Sequence, residues 1–115
     1  RDLRERRKTF ALRAIRMFSA LPKTTEAQIL GKQVLRSGTS VGANNREACR
    51  ARSDSEFIAK IGDCLKELDE TSYWLELLTE SRTVAASRLE GLHDECNQLT
   101  TIFTTMAKKS KANLS

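Results

Sequence analysis

Apolar residues recur every three or four positions along most of this chain, which is the spacing of one face of an α-helix. The clearest run lies near the carboxyl end, where successive members stand 3, 4, 3, 4 and 3 residues apart: Leu89, Leu92, Cys96, Leu99, Phe103 and Met106. This uninterrupted heptad pattern predicts a helix over residues 84–109, with a frayed tail from Ser110.

The amino-terminal part of the chain has the same periodicity in two further segments. One predicts a helix over residues 2–21, stopped at Leu21-Pro22 because the residue before proline is pushed out of the α region. Its apolar face comprises Phe10, Ala14, Met17, Phe18 and Leu21. The next predicts a helix over residues 25–51, capped by Thr24 or Thr25. Its inward face comprises Ala27, Leu30, Val34, Gly38, Val41, Asn45 and Ala48.

A capping box marks the start of the remaining helix. Ser53 and Glu56 have the Ser/Thr-x-x-Glu spacing that closes a helix amino terminus, and an apolar run follows. The pattern predicts a helix over residues 54–80. Its inward face comprises Phe57, Ile61, Leu65, Leu68, Ser72, Leu75 and Leu78.

Gly38 and Gly42 lie one turn apart inside the second helix. Glycine in a helix interior costs about 1 kcal/mol relative to alanine. Close approach of another helix would offset that cost. The alternative is a break in the helix near residues 37–40.

Four helices joined by short connections predict an all-α fold, an antiparallel up-down-up-down four-helix bundle, in a single domain over residues 1–115. The composition also favours long helices, because one proline and five glycines in 115 residues are few turn-forming residues for an all-β fold. No apolar run approaches the roughly 20 residues of a membrane span, so we expect no membrane partner.

Charge is distributed unevenly along the chain. The net charge is +5, yet residues 1–52 carry +9 and residues 53–80 carry −6. Two interpretations follow. The acidic third helix can neutralise the basic helices, within one fold or between subunits. Alternatively, the basic helices form a surface that binds nucleic-acid phosphates. The residues selected for phosphate contact are Arg4, Arg6, Arg7, Arg13, Arg16, Arg36, Arg46 and Arg50.

Cysteine usage favours a reducing compartment. Cys49, Cys64 and Cys96 are an odd set without a CxxC pair, which argues against a disulfide framework and for a cytoplasmic protein. Each is expected to be a small buried residue. The sequence begins with Arg1, so we expect the natural chain to start upstream.

We find no catalytic or metal-binding constellation in the sequence. Glu90-x-x-His93 has the spacing of a bundle di-iron motif, but His93 is the single histidine and lies off the core face, so we expect it to be exposed. Cys96 belongs to the core face, and a buried thiol is inert as a nucleophile. No phosphate-binding glycine loop is present. We therefore expect no enzyme activity, no cofactor and no metal.

Three other residues have alternative roles. Asn45 lies on the core face, where a hydrogen-bonded polar side chain more often sets helix register than contacts a ligand. Tyr73 and Trp74 flank the core face of the third helix. They are candidates for interface anchors in a protein-interaction module, since such residues dominate binding hot spots.

The middle of the chain carries motifs that resemble a known family. They are Arg36-Ser37-Gly38-Thr39-Ser40-Val41-Gly42-Ala43-Asn44, Arg46-Glu47-Ala48, Arg52-Ser53, Glu56-Phe57, Lys60-Ile61, Leu65-Lys66-Glu67, Asp69-Glu70 and Tyr73-Trp74-Leu75-Glu76-Leu77-Leu78. These resemble the signature of the 23S rRNA intervening-sequence proteins. The likeness extends over nearly the whole chain.

This resemblance implies a bacterial four-helix bundle that assembles as a homopentameric ring around a central channel. The similar accessory proteins of diversity-generating retroelements bind nucleic acid and a protein partner. The family implies no enzyme activity and supplies no agreed binding residues. The sequence-based hypothesis is therefore a ring with a basic channel that binds RNA or DNA. The alternative is an interaction or scaffold module with an unknown protein partner.

Overall fold

The computed structural model describes residues 2–114, which form four helices: α1 (Leu3–Ser19), α2 (Thr25–Cys49), α3 (Asp54–Glu80) and α4 (Ala86–Leu114). Short turns make successive helices antiparallel, in a body of 49 × 25 × 20 Å. The predicted all-α four-helix bundle is confirmed. None of the helices in this part of the chain has the length and hydropathy that a membrane span requires.

Side-chain caps begin the first three helices. Asp2, Thr24 and Ser53 accept hydrogen bonds from the backbone N–H three residues ahead, at 2.9, 3.3 and 3.1 Å. The carboxylate of Glu56 accepts from the backbone N–H of Arg52, one residue before the usual capping-box position. Local chemistry thus begins α2 and α3 where the sequence predicts.

The other helix boundaries move for identifiable reasons. Helices α1 and α2 end two residues before their predicted limits, because the last residues form tighter turns with hydrogen bonds of the i→i+3 type. In these turns the Leu21 N–H bonds the carbonyl of Phe18, and the Ala51 N–H bonds the carbonyl of Ala48. Helix α4 starts at Ala86 instead of residue 84, because the Val84 N–H still bonds the carbonyl of Leu78 at the end of α3.

The carboxyl end of α4 extends beyond its predicted limit. The helix continues to Leu114, so the expected fraying from Ser110 was wrong. The segment has neither glycine nor proline to stop it. Lys111 lies in the last turn, where a positive charge complements the helix dipole.

Core packing follows the predicted apolar faces with several corrections. On α3, Cys64 and Thr71 are buried in addition to four residues of the predicted face, while Leu65 and Ser72 of that face are half-buried. Polar groups at these positions are satisfied by neighbouring helices: the Cys64 thiol donates to the Val41 carbonyl at 3.6 Å. The Thr71 hydroxyl is hydrogen-bonded to that of Ser37 at 2.7 Å.

The remaining corrections concern residues at the edge of the core. Gly31, Ser37 and Ala107 are buried although the pattern omitted them. Five further residues of the predicted faces are half-buried instead: Met17, Phe18, Leu30, Phe57 and Met106. Each helix contacts two neighbours, so its buried stripe is broader than one line of apolar residues.

Small residues let α1 lie close to α2. Helix α2 is continuous through residues 37–40, so the alternative of a break is excluded. A Cβ atom on Gly38 would lie 3.0 Å from the Cβ of Ala14, and one on Gly42 would lie 3.7 Å from Arg7. The close approach that the sequence predicted is therefore found at Gly38.

Candidate nucleic-acid interface

Three of the eight arginines selected from the sequence pair with residues of other helices in the same chain. Arg6 forms a two-point ion pair with Glu95, with Nε–Oε2 and Nη2–Oε1 distances of 3.1 and 2.7 Å. Arg36 reaches from α2 to Glu67 and Glu70 of α3 at 3.1 and 3.4 Å. Arg6 therefore links α1 to α4, and Arg36 links α2 to α3.

The third of these, Arg7, pairs with the polar residue of the α2 core face. Its Nη1 donates to Oδ1 of Asn45 at 2.6 Å and lies 3.9 Å from Sγ of Cys49. Asn45 is 1% exposed, and its Nδ2 has no hydrogen-bond partner among the described residues. The contact links α1 to α2 at one height along the bundle axis, which is the geometry that a residue needs to set the register of the two helices.

Arg13 lies across α4. A Cβ on Gly91 would stand 2.7 Å from Nη2 of Arg13, so the absent side chain makes room for the guanidinium. Arg13 is half-buried, whereas Arg16, one turn further along α1, is exposed. Both lie toward the carboxyl end of α1, away from the carboxyl end of α2.

Arg4, Arg46 and Arg50 remain exposed at the opposite end of the bundle. Arg7 contacts both Asn45 and Cys49, which places the first turn of α1 beside the last turn of α2. Within residues 2–114 none of the three forms an ion pair. We call these three residues the α1–α2 basic end.

Charge neutralisation between helices accounts for part of the acidic third helix. The Arg36 pairs have this sense, whereas the pair between Lys60 of α3 and Glu47 of α2, with an Nζ–Oε1 distance of 3.0 Å, has the opposite sense. The hydrogen bond that Lys60 donates to Glu47 and the charge of that carboxylate raise the pKa of Lys60. Arg36 therefore neutralises part of the acidic charge of α3 at the α2–α3 surface, and the α1–α2 basic end has no such pair among residues 2–114.

Sequence reasoning missed two arginines. Arg52 is exposed just after α2, next to the α1–α2 basic end. Arg88 is exposed on the first turn of α4, and it was not selected from the sequence because residues 81–105 carry a net negative charge. The clustering of Arg46, Arg50 and Arg52 was a signal for the first. Nothing in the linear pattern pairs Arg88 with α1.

Tyr73 and Trp74 occupy different environments. Tyr73 is 53% exposed, whereas Trp74 is half-buried and packs against the core. Their rings meet edge to face with centroids 5.2 Å apart. Nε1 of Trp74 has no hydrogen-bond partner among residues 2–114. Tyr73 is thus the more accessible of the two candidate anchors.

Few side chains could serve as catalytic groups, and two candidates, His93 and Ser72, are hydrogen-bonded to each other. His93 is half-buried instead of exposed, because its Nε2 is hydrogen-bonded to Oγ of Ser72 at 2.8 Å. A serine–histidine pair needs a group that orients the other ring nitrogen and donors for an oxyanion. Among the described residues no side chain bonds that nitrogen. Ser72 also lies within α3, whose backbone N–H groups are used by the helix.

The cysteines offer no activated thiol inside the bundle. Burial raises the pKa of Cys64 and of Cys96 to about 12. The Cys96 thiol donates to the Leu68 carbonyl at 3.2 Å, so it is not paired with His93. Cys49 is exposed, contrary to expectation, because it ends α2 beyond the core. Within residues 2–114 no group of three histidine, cysteine or acidic residues is placed to hold a metal ion.

The fold and these contacts define the class of the protein: an antiparallel four-helix bundle with arginines on α1 and α2 and a partly neutralised acidic third helix. Comparison with known proteins gives the family. The model of the 23S rRNA-intervening sequence protein family matches residues 2–105. The chain belongs to this family, and the resemblance seen in the sequence is confirmed.

A solved structure supports the same assignment. The chain is similar to a protein with unknown function from the S23 ribosomal protein family of Bacteroides thetaiotaomicron VPI-5482. The two share 34% sequence identity with a TM-score of 0.86, over 93% of this chain and 99% of the other. A search of curated proteins finds no match.

Proposed function

We propose that this protein is a non-enzymatic, homo-oligomeric bundle that binds nucleic acid through the α1–α2 basic end. The observation that carries the proposal is the exposure of Arg4, Arg46 and Arg50 without an ion pair inside residues 2–114. Unpaired guanidinium groups on a surface bind phosphates by charge and by paired hydrogen bonds. Binding of this kind is independent of sequence and sensitive to salt.

Assembly would strengthen the effect of these charges. A pentamer, which the family resemblance suggests, would carry five copies of a +5 chain, or +25 in total. A channel lined by one sign of charge focuses the electric field and raises the local concentration of phosphates. None of the three cysteines forms a disulfide, which fits the cytoplasmic location that we propose for this function.

Binding to single-stranded RNA and to duplex DNA across a salt series tests the nucleic-acid proposal. We expect log K to fall linearly with log salt concentration, with a slope of about −0.7 per phosphate for single strands and −0.9 for duplex DNA. Arg46→Gln/Arg50→Gln should weaken binding to all sequences alike and reduce the slope by about 2, one for each lost contact.

The matched control is Arg16→Gln/Arg88→Gln, which removes two exposed arginines from the other end of the bundle and should leave binding unchanged. Absence of binding at low salt, or a slope near zero, would overturn the proposal. Equal losses in the two double variants would show general charge attraction without a defined site.

Exposed apolar residues support the oligomer. Leu12 and Ile15 stand three residues apart on the outer face of α1, at 39% and 43% exposed. A partner subunit that covers them would remove this apolar area from water. Light scattering on a sizing column should give five times the 12.9 kDa chain mass. A monomer at every concentration would contradict the assembly.

A protein-interaction or scaffold module is the second candidate. The exposure of Tyr73 favours it, because exposed aromatic residues are frequent binding hot spots. A salt-resistant oligomer without nucleic-acid affinity would support this function. Under it, Tyr73→Ser should weaken the complex with a protein partner and leave the fold intact, since the ring lies outside the core.

A further inference from the structure

A groove opens between the carboxyl-terminal half of α1 and the start of α4. We call it the α1–α4 groove; it spans residues 13–21 on one side and 84–92 on the other and has a volume of about 450 Å³. Small-molecule pockets of proteins have volumes of about 300–1,000 Å³. The groove is therefore large enough to hold an organic ligand.

Three arginines line this groove: Arg13, Arg16 and Arg88. None of its lining residues is acidic, and within residues 2–114 none of the three side chains has an ion-pair or hydrogen-bond partner. Three like charges around one cavity repel one another, and a half-buried guanidinium without a counter-charge loses solvation. A bound anion would offset both costs.

Gly91 is the second feature that favours a ligand. It lies inside α4, where glycine costs about 1 kcal/mol relative to alanine. A Cβ there would meet Nη2 of Arg13 at 2.7 Å. The missing side chain thus allows the Arg13 guanidinium to lie against the helix at the groove.

The floor of the groove is aliphatic and narrows the class of ligand. It is formed by Met17, Leu21, Val84, Leu89 and Leu92, without any aromatic side chain. A nucleobase gains much of its affinity from stacking on aromatic rings, which this floor does not offer. An aliphatic body would instead gain from removal of its apolar surface from water.

We propose that the α1–α4 groove binds a small aliphatic anion, with its carboxylate or phosphate at Arg13, Arg16 and Arg88 and its chain on the apolar floor. Guanidinium groups bind both head groups through paired hydrogen bonds. The proposal does not rest on nucleic-acid binding, because the groove and the α1–α2 basic end lie at opposite ends of the bundle.

Competition against the fluorescent probe 1-anilinonaphthalene-8-sulfonate tests the proposal, since this probe combines an anionic group with an apolar body. We expect saturable binding of one probe per chain and displacement by octanoate. Octylamine, which has the same chain length and the opposite charge, should not displace the probe. Displacement by octylamine as effective as by octanoate would show an apolar surface only and would overturn the proposal.

Two kinds of variant locate the site. Arg16→Gln/Arg88→Gln should weaken octanoate binding at least tenfold, because two charge-assisted contacts are lost. Ser87→Phe should block the groove while it retains every charge, since Ser87 is exposed and lines the cavity. Far-UV circular dichroism checks that each variant stays helical.

The matched control is Arg46→Gln/Arg50→Gln, which should bind octanoate like the parent protein. Unchanged affinity in both groove variants would overturn the proposal. Adenosine monophosphate that displaces the probe as well as octanoate would overturn the assignment to an aliphatic anion. Loss of nucleic-acid binding with intact octanoate binding would refute only the proposed function.

Discussion

Replacement of Arg6 by Gln tests whether this arginine stabilises the bundle or faces a ligand. Its guanidinium contacts both carboxylate oxygens of Glu95, and Nη2 also donates to Oε1 of Gln98 at 3.0 Å. The side chains of Arg6 and Glu95 are 21% and 12% exposed. The hydrogen bonds that Arg6 donates to Glu95 and the charge of that carboxylate raise the pKa of Arg6, so the pair is attractive in the folded state.

The magnitude follows from how far the pair is shielded from water. Loss of one partner of a fully buried ion pair costs about 3–5 kcal/mol, whereas an exposed pair contributes about 0–1 kcal/mol. The Arg6–Glu95 pair lies between these cases. We expect Arg6→Gln to lower the free energy of unfolding by about 1–3 kcal/mol, chiefly because Glu95 keeps a shielded charge without its partner.

Urea unfolding at a fixed protein concentration, followed by the fluorescence of Trp74 and by circular dichroism, measures this change. Glu95→Gln alone should also destabilise the protein. The double variant should be more stable than the sum of the two losses predicts, because neither charge is then left unpaired. Arg46→Gln is the matched control and should change stability by less than about 0.5 kcal/mol.

One result would refute this reasoning about Arg6. If Arg6→Gln matched the stability of the control but weakened nucleic-acid binding, the ion pair would be dispensable and Arg6 would belong to the ligand surface. Additive losses in the double variant would likewise show that Arg6 and Glu95 do not interact energetically.

Glycine and cysteine positions provide two further tests. Gly38→Leu should destabilise the bundle by about 1–3 kcal/mol, because the new side chain crowds against α1. Gly62→Ala should stabilise the bundle by about 0.5–1 kcal/mol, because no atom lies within 4 Å of the new Cβ. Changes of the same sign in the free energy of urea unfolding would contradict this packing. Cys49 should react with a thiol reagent at neutral pH, and Cys64 and Cys96 only on unfolding; three equally fast thiols would refute their burial. Burial raises the pKa of these two thiols from 9.0 to about 12. The stability that depends on their protonation is therefore complete below pH 9 and is lost as pH rises toward 12. A urea midpoint that stays constant over this pH range would contradict this pH dependence.

The helices and their amino-terminal caps were predictable because they depend on neighbours in sequence. Ser53 begins α3 where its side chain can accept the Glu56 N–H, and the heptad pattern of α4 needs no tertiary contact to be recognised. The start of α4 was less predictable, because Val84 still bonds the end of α3.

The candidate sites were predictable only in part. The excess of positive charge on the first two helices is visible in the sequence, and Arg46 and Arg50 do lie exposed. Arg6 and Arg36 look equivalent to them in the linear pattern, yet each reaches an acidic residue on another helix. An arginine side chain is long enough to choose among several partners, and sequence spacing does not show which one is near.

The sequence alone predicted four amphipathic helices, their order, their core faces and the separation of charge between the first two helices and the third. The three-dimensional structure was needed to show which arginines remain exposed, that Thr71 belongs to the core, and that Arg13 and Arg88 line one groove. The physical reason is that helical periodicity depends on residues three or four apart. The rotation and divergence of packed helices depend on contacts between residues far apart in the chain.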